Sequence, residues 1–127
     1  MIAGIGTDII EIDRIKKAIT RTPQFMMKGF TTKEQEYFKM RHNAPETIAG
    51  NFAAKEAVSK ALGTGFTKFG LLDIEILRDD LGKPAVFLHG EAKTIGKKKN
   101  INTIWVSISH CKSYATAYAI AERGSEF

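Results

Sequence analysis

A single cysteine excludes an internal disulfide, so Cys111 is read as a free thiol in a chain suited to a reducing cytoplasm. No apolar run approaches the roughly 20 residues that a membrane-spanning helix needs, which argues against a bilayer span. The first residues lack the basic segment, apolar core and small-residue cleavage site of an export signal. Histidine is scarce, and His42, His89 and His110 share no zinc-ligand spacing with each other or with Cys111. Glycine-rich motifs also fall short. In "GTGFTKFG", Gly65 and Gly70 have the spacing of a phosphate-binding loop, but Leu71 and Leu72 stand where Lys and Ser or Thr are required. "GIGTDI" lacks the third glycine of a dinucleotide fingerprint. "SISH" places Ser109 and His110 side by side on a strand, hence on opposite faces, which excludes a hydrolase dyad there.

What remains is a chain of ordinary globular composition, 43% hydrophobic and 26% charged, read as one domain over residues 1–127 with about residues 122–127 as a polar tail. The net charge of +5 and a pI near 9.4 call for a polyanionic partner: nucleic acid, an acidic protein surface or a phosphate-rich small molecule. Arg14, Lys16, Lys17, Arg21 and Lys28 crowd the first thirty residues, and Lys97, Lys98 and Lys99 form a second knot. A solvated face kept for solubility is the plain alternative for either cluster.

Periodicity predicts an α+β chain. In "GIGTDII" the residues Ile2, Gly4, Gly6, Asp8 and Ile10 fall on one face of a strand, with Ile5, Thr7 and Ile9 on the other. Ile12, Ile15 and Ile19 then give an amphipathic helix ending before Pro23. Thr31 with Glu34, or Thr32 with Gln35, offers a capping box for a helix to about Arg41. Glu46 to Leu62 reads as the longest helix, closed by Gly63 as a left-handed cap residue. "LLDIEILRD" alternates Asp73 and Glu75 against Ile74 and Ile76, and "DDLGKP" turns the chain into "AVFLH". A short helix over Glu91 to Lys98 precedes two last strands, "INTIWVSIS" and "YATAYAIAE". In the latter Tyr114, Thr116, Tyr118 and Ile120 share one face and Ala115, Ala117, Ala119 and Ala121 the other, so neither suits water. One face is expected on the helix and the other on a neighbouring subunit.

Asp8 is the residue that demands an explanation, because an ionised carboxylate on a strand face turned toward the core costs several kcal/mol unless it meets water, a donor or a cation. In "NFAAKEAVSKALGTG" a helical stripe carries Phe52, Glu56, Ser59, Lys60 and Gly63, while Ala54, Ala57, Val58 and Ala61 form a surface small enough to lie against a sheet. Packed over the first strand, this helix brings Glu56 toward Asp8. Two facing carboxylates repel, and a divalent cation resolves the repulsion and the burial together. Magnesium suits such a pair, since it takes one or two carboxylates and completes its shell with water and phosphate oxygens. Lys60, one turn beyond Glu56, would then meet a phosphate or leaving oxygen. The rival reading of Glu56 and Lys60 is a surface i,i+4 pair contributing about 0.3–0.5 kcal/mol.

"GIGTDIIEIDRI", "AGNFAAKEAVSKALGTG", "DIEILRDDLGKP" and "VSISHCKSYATA", in that order across about residues 2–120, resemble the holo-acyl-carrier-protein synthases, the small bacterial 4′-phosphopantetheinyl transferases. The resemblance implies an antiparallel sheet wrapped on a long central helix. It also implies magnesium-dependent transfer of the 4′-phosphopantetheine arm of coenzyme A to a serine of apo-acyl carrier protein, releasing adenosine 3′,5′-bisphosphate in support of fatty acid biosynthesis. By it Asp8 and Glu56 are the metal-binding carboxylates, and Lys60 contacts the diphosphate or protonates its leaving oxygen. His110 is a coenzyme A contact, and Gly63, Thr64, Gly65, Lys83 and Pro84 lie in segments lining the nucleotide and pantetheine groove. Magnesium would bridge the diphosphate oxygens and both carboxylates while the serine oxygen attacks in line. Glu56 through a water, or a water on the metal, would take the serine proton.

Arg14, Lys17, Arg21 and Lys28 would meet the acidic carrier protein. Family members are similar in being trimers with the site between adjacent subunits. Two departures stand out: Asn51 occupies a position where the family often has arginine, and Cys111 replaces a common threonine. A nucleic-acid-binding protein would explain the charge but leave Asp8, Glu56 and Lys60 idle, and a non-catalytic carrier-binding module would show affinity without turnover. The transferase reading therefore carries coenzyme A and acyl carrier protein as partners, with a homotrimer, and excludes nucleic acid and membrane.

Overall fold

Gly4 and Gly6 decide how the molecule is assembled. They lie on β1 (Ile2–Glu11), the edge of a three-stranded antiparallel sheet in which β5 (Tyr114–Arg123) runs between β1 and β4 (Ile101–His110). The computed structural model describes residues 1–124. Gly4, Gly6 and Asp8 pair with Ala121, Ala119 and Ala117, so glycines and alanines form one small-residue face. Helix α4 (Pro45–Ala61) lies on that face. A Cβ on Gly6 would fall on the Ala57 carbonyl oxygen, and one on Gly4 on that of Ala61. Helix backbone therefore rests directly on strand backbone. Gly6→Ala forces the two apart and is expected to cost about 1–3 kcal/mol, the usual range for overpacking a tight contact. Chemical denaturation measures this, and a variant as stable as the parent would show that the helix can shift freely.

The elements follow the periodicity closely. Helix α1 spans Ile12–Arg21, and Pro45 occupies the first turn of α4, where a missing N–H costs nothing. Gly63 takes φ +88° just past α4, the left-handed conformation that glycine adopts without steric cost. Of the two capping boxes the first is formed: Thr31 accepts from the Glu34 amide and Glu34 accepts from the Thr31 amide, opening α3 (Thr32–Met40). Gln35 instead donates to the Phe30 carbonyl.

The structure departs from the periodicity in several places. The register slips between Ile2 and Gly4, which takes Ile2 off the helix-facing surface and leaves it 59% exposed. A short helix α2 (Phe25–Gly29) fills the stretch after Pro23, where Phe25 packs edge-on against Phe30. The hairpin of β2 (Ile74–Arg78) and β3 (Pro84–Leu88) forms a separate two-stranded sheet, followed by α5 (Gly90–Lys98). Finally β5 includes Glu122 and Arg123, which pair with Thr103 and Ile101, so the expected tail is shorter than residues 122–127; residues 125–127 lie outside the described part.

Glu75, read as half of a polar strand face, is buried. It accepts from the Thr31 hydroxyl at 2.6 Å, and His89 Nε2 lies 3.1 Å away. Burial pushes its carboxyl pKa up, and these two partners more than reverse the push, leaving it below the usual range. Deeper still, Lys55 of α4 is wholly buried and donates to Glu34 Oε1 at 2.7 Å and to the carbonyls of Leu71 and Ile74 at 3.0 and 2.7 Å. Glu34 Oε2 accepts from the Ile76 amide. This ion pair ties α3, α4 and β2 together.

Candidate active site

Asp8 follows Gly4 and Gly6 on the same strand face, so the contact that seats α4 also turns Asp8 toward the helix. Lys60 closes the arrangement. Its Nζ donates to the Thr7 carbonyl at 2.9 Å and lies 3.4 Å from Asp8 Oδ1, so the lysine reaches over the free edge of β1. Thr116 donates to the Asp8 carbonyl at 2.8 Å and fixes the backbone from the other side.

Glu56 lies one turn before Lys60 on α4. Its carboxyl pKa is raised, first by burial and then by the Asp8 charge, with Lys60 partly offsetting both. The sign has a testable consequence in metal-free protein. A carboxyl that holds its proton more tightly when folded destabilises the fold once ionised. The cost is absent well below the ordinary carboxylate pKa and complete above the raised value. Glu56→Gln is therefore expected to melt at a higher temperature than the parent near pH 7.5 in chelator, with the difference vanishing near pH 4. A lower melting temperature at pH 7.5 would contradict this electrostatic account.

Among the described residues, no three His, Cys, Asp or Glu side chains form a metal cage. Two carboxylates, one of them disfavoured as an anion by the other, fit a hard cation that draws its remaining ligands from water and phosphate. Asp8 and Glu56 would hold it.

The remaining expected residues lie elsewhere on the chain. Gly63, Thr64 and Gly65 follow α4 directly, where Lys99 donates to the Leu62 carbonyl and the Thr64 hydroxyl donates to the Gly65 carbonyl. His110 is exposed at the end of β4, separated from β1 by β5, roughly 10 Å across the sheet. Together with Ile12, Glu46, Cys111 and Lys112 it borders a separate hollow. Lys83 and Pro84 stand at the hairpin. Arg14, Lys17 and Arg21 on α1 and Lys28 on α2 are exposed, and Lys17 pairs with Asp13 at 2.9 Å. The chain thus unites Asp8, Glu56 and Lys60 but does not bring His110, Lys83 or Pro84 to them.

The outer face of the sheet exposes large apolar side chains among its polar ones. Ile5, Ile9 and Tyr118 are 70%, 67% and 61% exposed, and Trp105 stands beside Ile120 in the same register row as Ile5. Asn51, met in the sequence only as a departure, is buried and holds Arg78, a residue to which no motif pointed.

A family model described as the 4′-phosphopantetheinyl transferase superfamily matches residues 4–119. The chain belongs to that family. Among curated transferases, a holo-[acyl-carrier-protein] synthase of Clostridium novyi is 61% identical over 122 residues, covering 96% of this chain and 88% of the relative. The crystal structure of the Neisseria meningitidis holo-[acyl-carrier-protein] synthase superposes with a TM-score of 0.87 at 32% identity, over 97% of this chain and all of that one. The Helicobacter pylori holo-[acyl-carrier-protein] synthase in complex with coenzyme A gives 0.82 at 33% identity, over 93% and 99%. The chain is an enzyme of the phosphopantetheinyl transferase class, with an α+β fold of mixed helix and antiparallel sheet. No described helix is long and apolar enough to cross a membrane.

Proposed function

We propose that this phosphopantetheinyl transferase moves the 4′-phosphopantetheine arm of coenzyme A onto a serine of apo-acyl carrier protein in a magnesium-dependent reaction that serves fatty acid biosynthesis in the cytoplasm. The observation that carries this reading is the convergence of Asp8, Glu56 and Lys60 where α4 rests on β1. The relatives' names and the coenzyme A complex of the H. pylori enzyme support it.

When bound at Asp8 and Glu56, magnesium would neutralise charge on the diphosphate and on the leaving bisphosphate. Lys60, tethered at the strand edge, would exchange its weak contact with Asp8 for a phosphate oxygen and stabilise or protonate the leaving group. Glu56, with its proton affinity raised by burial and by Asp8, would accept the serine proton through a water. Gly63, Thr64 and Gly65 would line the approach at the end of α4.

The exposed row of Ile5, Ile120 and Trp105 would be covered by a second copy, and closure into a homotrimer would bring a neighbour's His110, Lys83 and Pro84 to the coenzyme. Arg14, Lys17, Arg21 and Lys28 would form the basic landing surface for the acidic carrier. Incubation with coenzyme A, magnesium and apo-acyl carrier protein is expected to add one phosphopantetheine to the carrier by mass, and chelation to abolish the gain. Binding of carrier without any mass gain would reduce the reading to a carrier-binding module.

A further inference from the structure

Of the three consecutive lysines at 97–99, the last is placed unlike the other two. Lys97 and Lys98 are exposed, whereas Lys99 is partly buried and turns back across the end of α4, where its Nζ donates to the Leu62 carbonyl. Its backbone is held from both sides. The Lys99 amide donates to the Ile95 carbonyl at 3.1 Å, and Arg123 Nε donates to the Lys99 carbonyl at 2.8 Å. Gly63 leaves room for the ammonium, since a Cβ there would lie 2.7 Å from Nζ. Among the described residues no carboxylate comes within 4.0 Å of this Nζ, so its charge is not spent in an ion pair.

The carbonyl that Lys99 grips belongs to the turn that ends α4. The Gly63 amide donates to the Lys60 carbonyl at 2.9 Å, so a single turn joins Lys60, Leu62 and Gly63. The C-terminal end of a helix carries roughly half a negative charge on its unpaired carbonyls. The 17-residue α4 therefore presents its repulsive end to an anion that passes over Gly63, Thr64 and Gly65. A cation seated on the Leu62 carbonyl offsets part of that field, and the bond that seats it fixes the turn. We infer that Lys99 is a positioning residue for the binding of a polyanionic co-substrate: it anchors the turn after α4 and neutralises the helix end there. This rests on the proposed reaction, which brings coenzyme A along Gly63, Thr64 and Gly65. Lys99 acts through the Leu62 carbonyl and not by touching the coenzyme.

Amide hydrogen exchange at residues 63–65 of the coenzyme-free protein reads the anchor, and steady-state transfer to apo-acyl carrier protein reads its use. Lys99→Met is expected to speed that exchange and to raise the KM for coenzyme A roughly 3- to 10-fold, the loss expected for one charge-assisted hydrogen bond at a helix end. Its kcat and its KM for the carrier should stay near the parent values. Lys98→Met removes the same charge one residue away at an exposed site, and should leave both readouts unchanged. Unaltered exchange in Lys99→Met would overturn the inference whatever the kinetics. Faster exchange with an unaltered KM for coenzyme A would make the lysine structural only and overturn it as well, as would equal rises in KM in the two variants, which would trace the effect to overall charge. If the parent transfers nothing to the carrier, the transferase reading fails, and calorimetric titration with coenzyme A decides the inference alone: a weaker Kd for Lys99→Met than for Lys98→Met supports it, and equal values overturn it.

Discussion

Asp8→Ala and Glu56→Ala are each expected to lower the rate of carrier modification by on the order of 10² to 10³-fold or more, the scale seen when one preorganised electrostatic group is removed from an active site. The two should differ in stability. Removing Glu56 relieves a buried repulsion, whereas removing Asp8 strips Lys60 of its only carboxylate partner within 4.0 Å among the described residues. If both groups serve one cation, the double variant should be scarcely slower than either single one, because residues acting as a unit are not additive. Mass spectrometry of the carrier over a time course measures all three. Retention of chelator-sensitive transfer by both single variants would move the cation site elsewhere.

Lys55→Met is expected to destabilise the protein by about 3–5 kcal/mol, lowering the melting temperature by roughly 12–20 °C. The side chain is fully buried, and burial pushes its ammonium pKa below the usual lysine range, with Glu34 and then Glu75 pulling it back. Taking the lysine away leaves Glu34 as a buried carboxylate whose remaining partners are the amides of Thr31, which opens α3, and of Ile76 in β2. It also strands the carbonyls of Leu71 and Ile74. Pairing it with Glu34→Gln removes the uncompensated charge, so the double variant should recover part of the loss. Urea denaturation of the single and double variants closes the cycle. A single variant within 1 kcal/mol of the parent would show that the pair is dispensable.

Lys55 and Glu56, neighbours on α4, are not equally legible in the sequence. Glu56 stands out because its spacing to Lys60 and its approach to Asp8 pose a charge problem. Lys55 sits beside it, also charged, with no local clue, since its partners are 21 residues before and 16 and 19 residues after it. The sequence marks Glu34 only for its capping role, which it fulfils with one carboxylate oxygen while serving Lys55 with that same atom. The burial of Glu75 escapes the sequence for a related reason: alternation marks which face a side chain is on, not whether another element will cover that face.

By itself, the sequence determined most of the elements and where they end: the alternation of β1 and β5, a capping box at Thr31 or Thr32, the turn at Gly82 and the stop at Gly63. It also determined that Asp8 shares a face with Gly4 and Gly6, because strand period is a local steric fact. Only the tertiary structure decided that α4 settles on those glycines, that Lys60 reaches the edge of β1, that the hairpin stands as a second sheet and that Asn51 grips Arg78. Those outcomes depend on contacts between residues far apart in the chain, whose energies exist only once the backbone has brought them together.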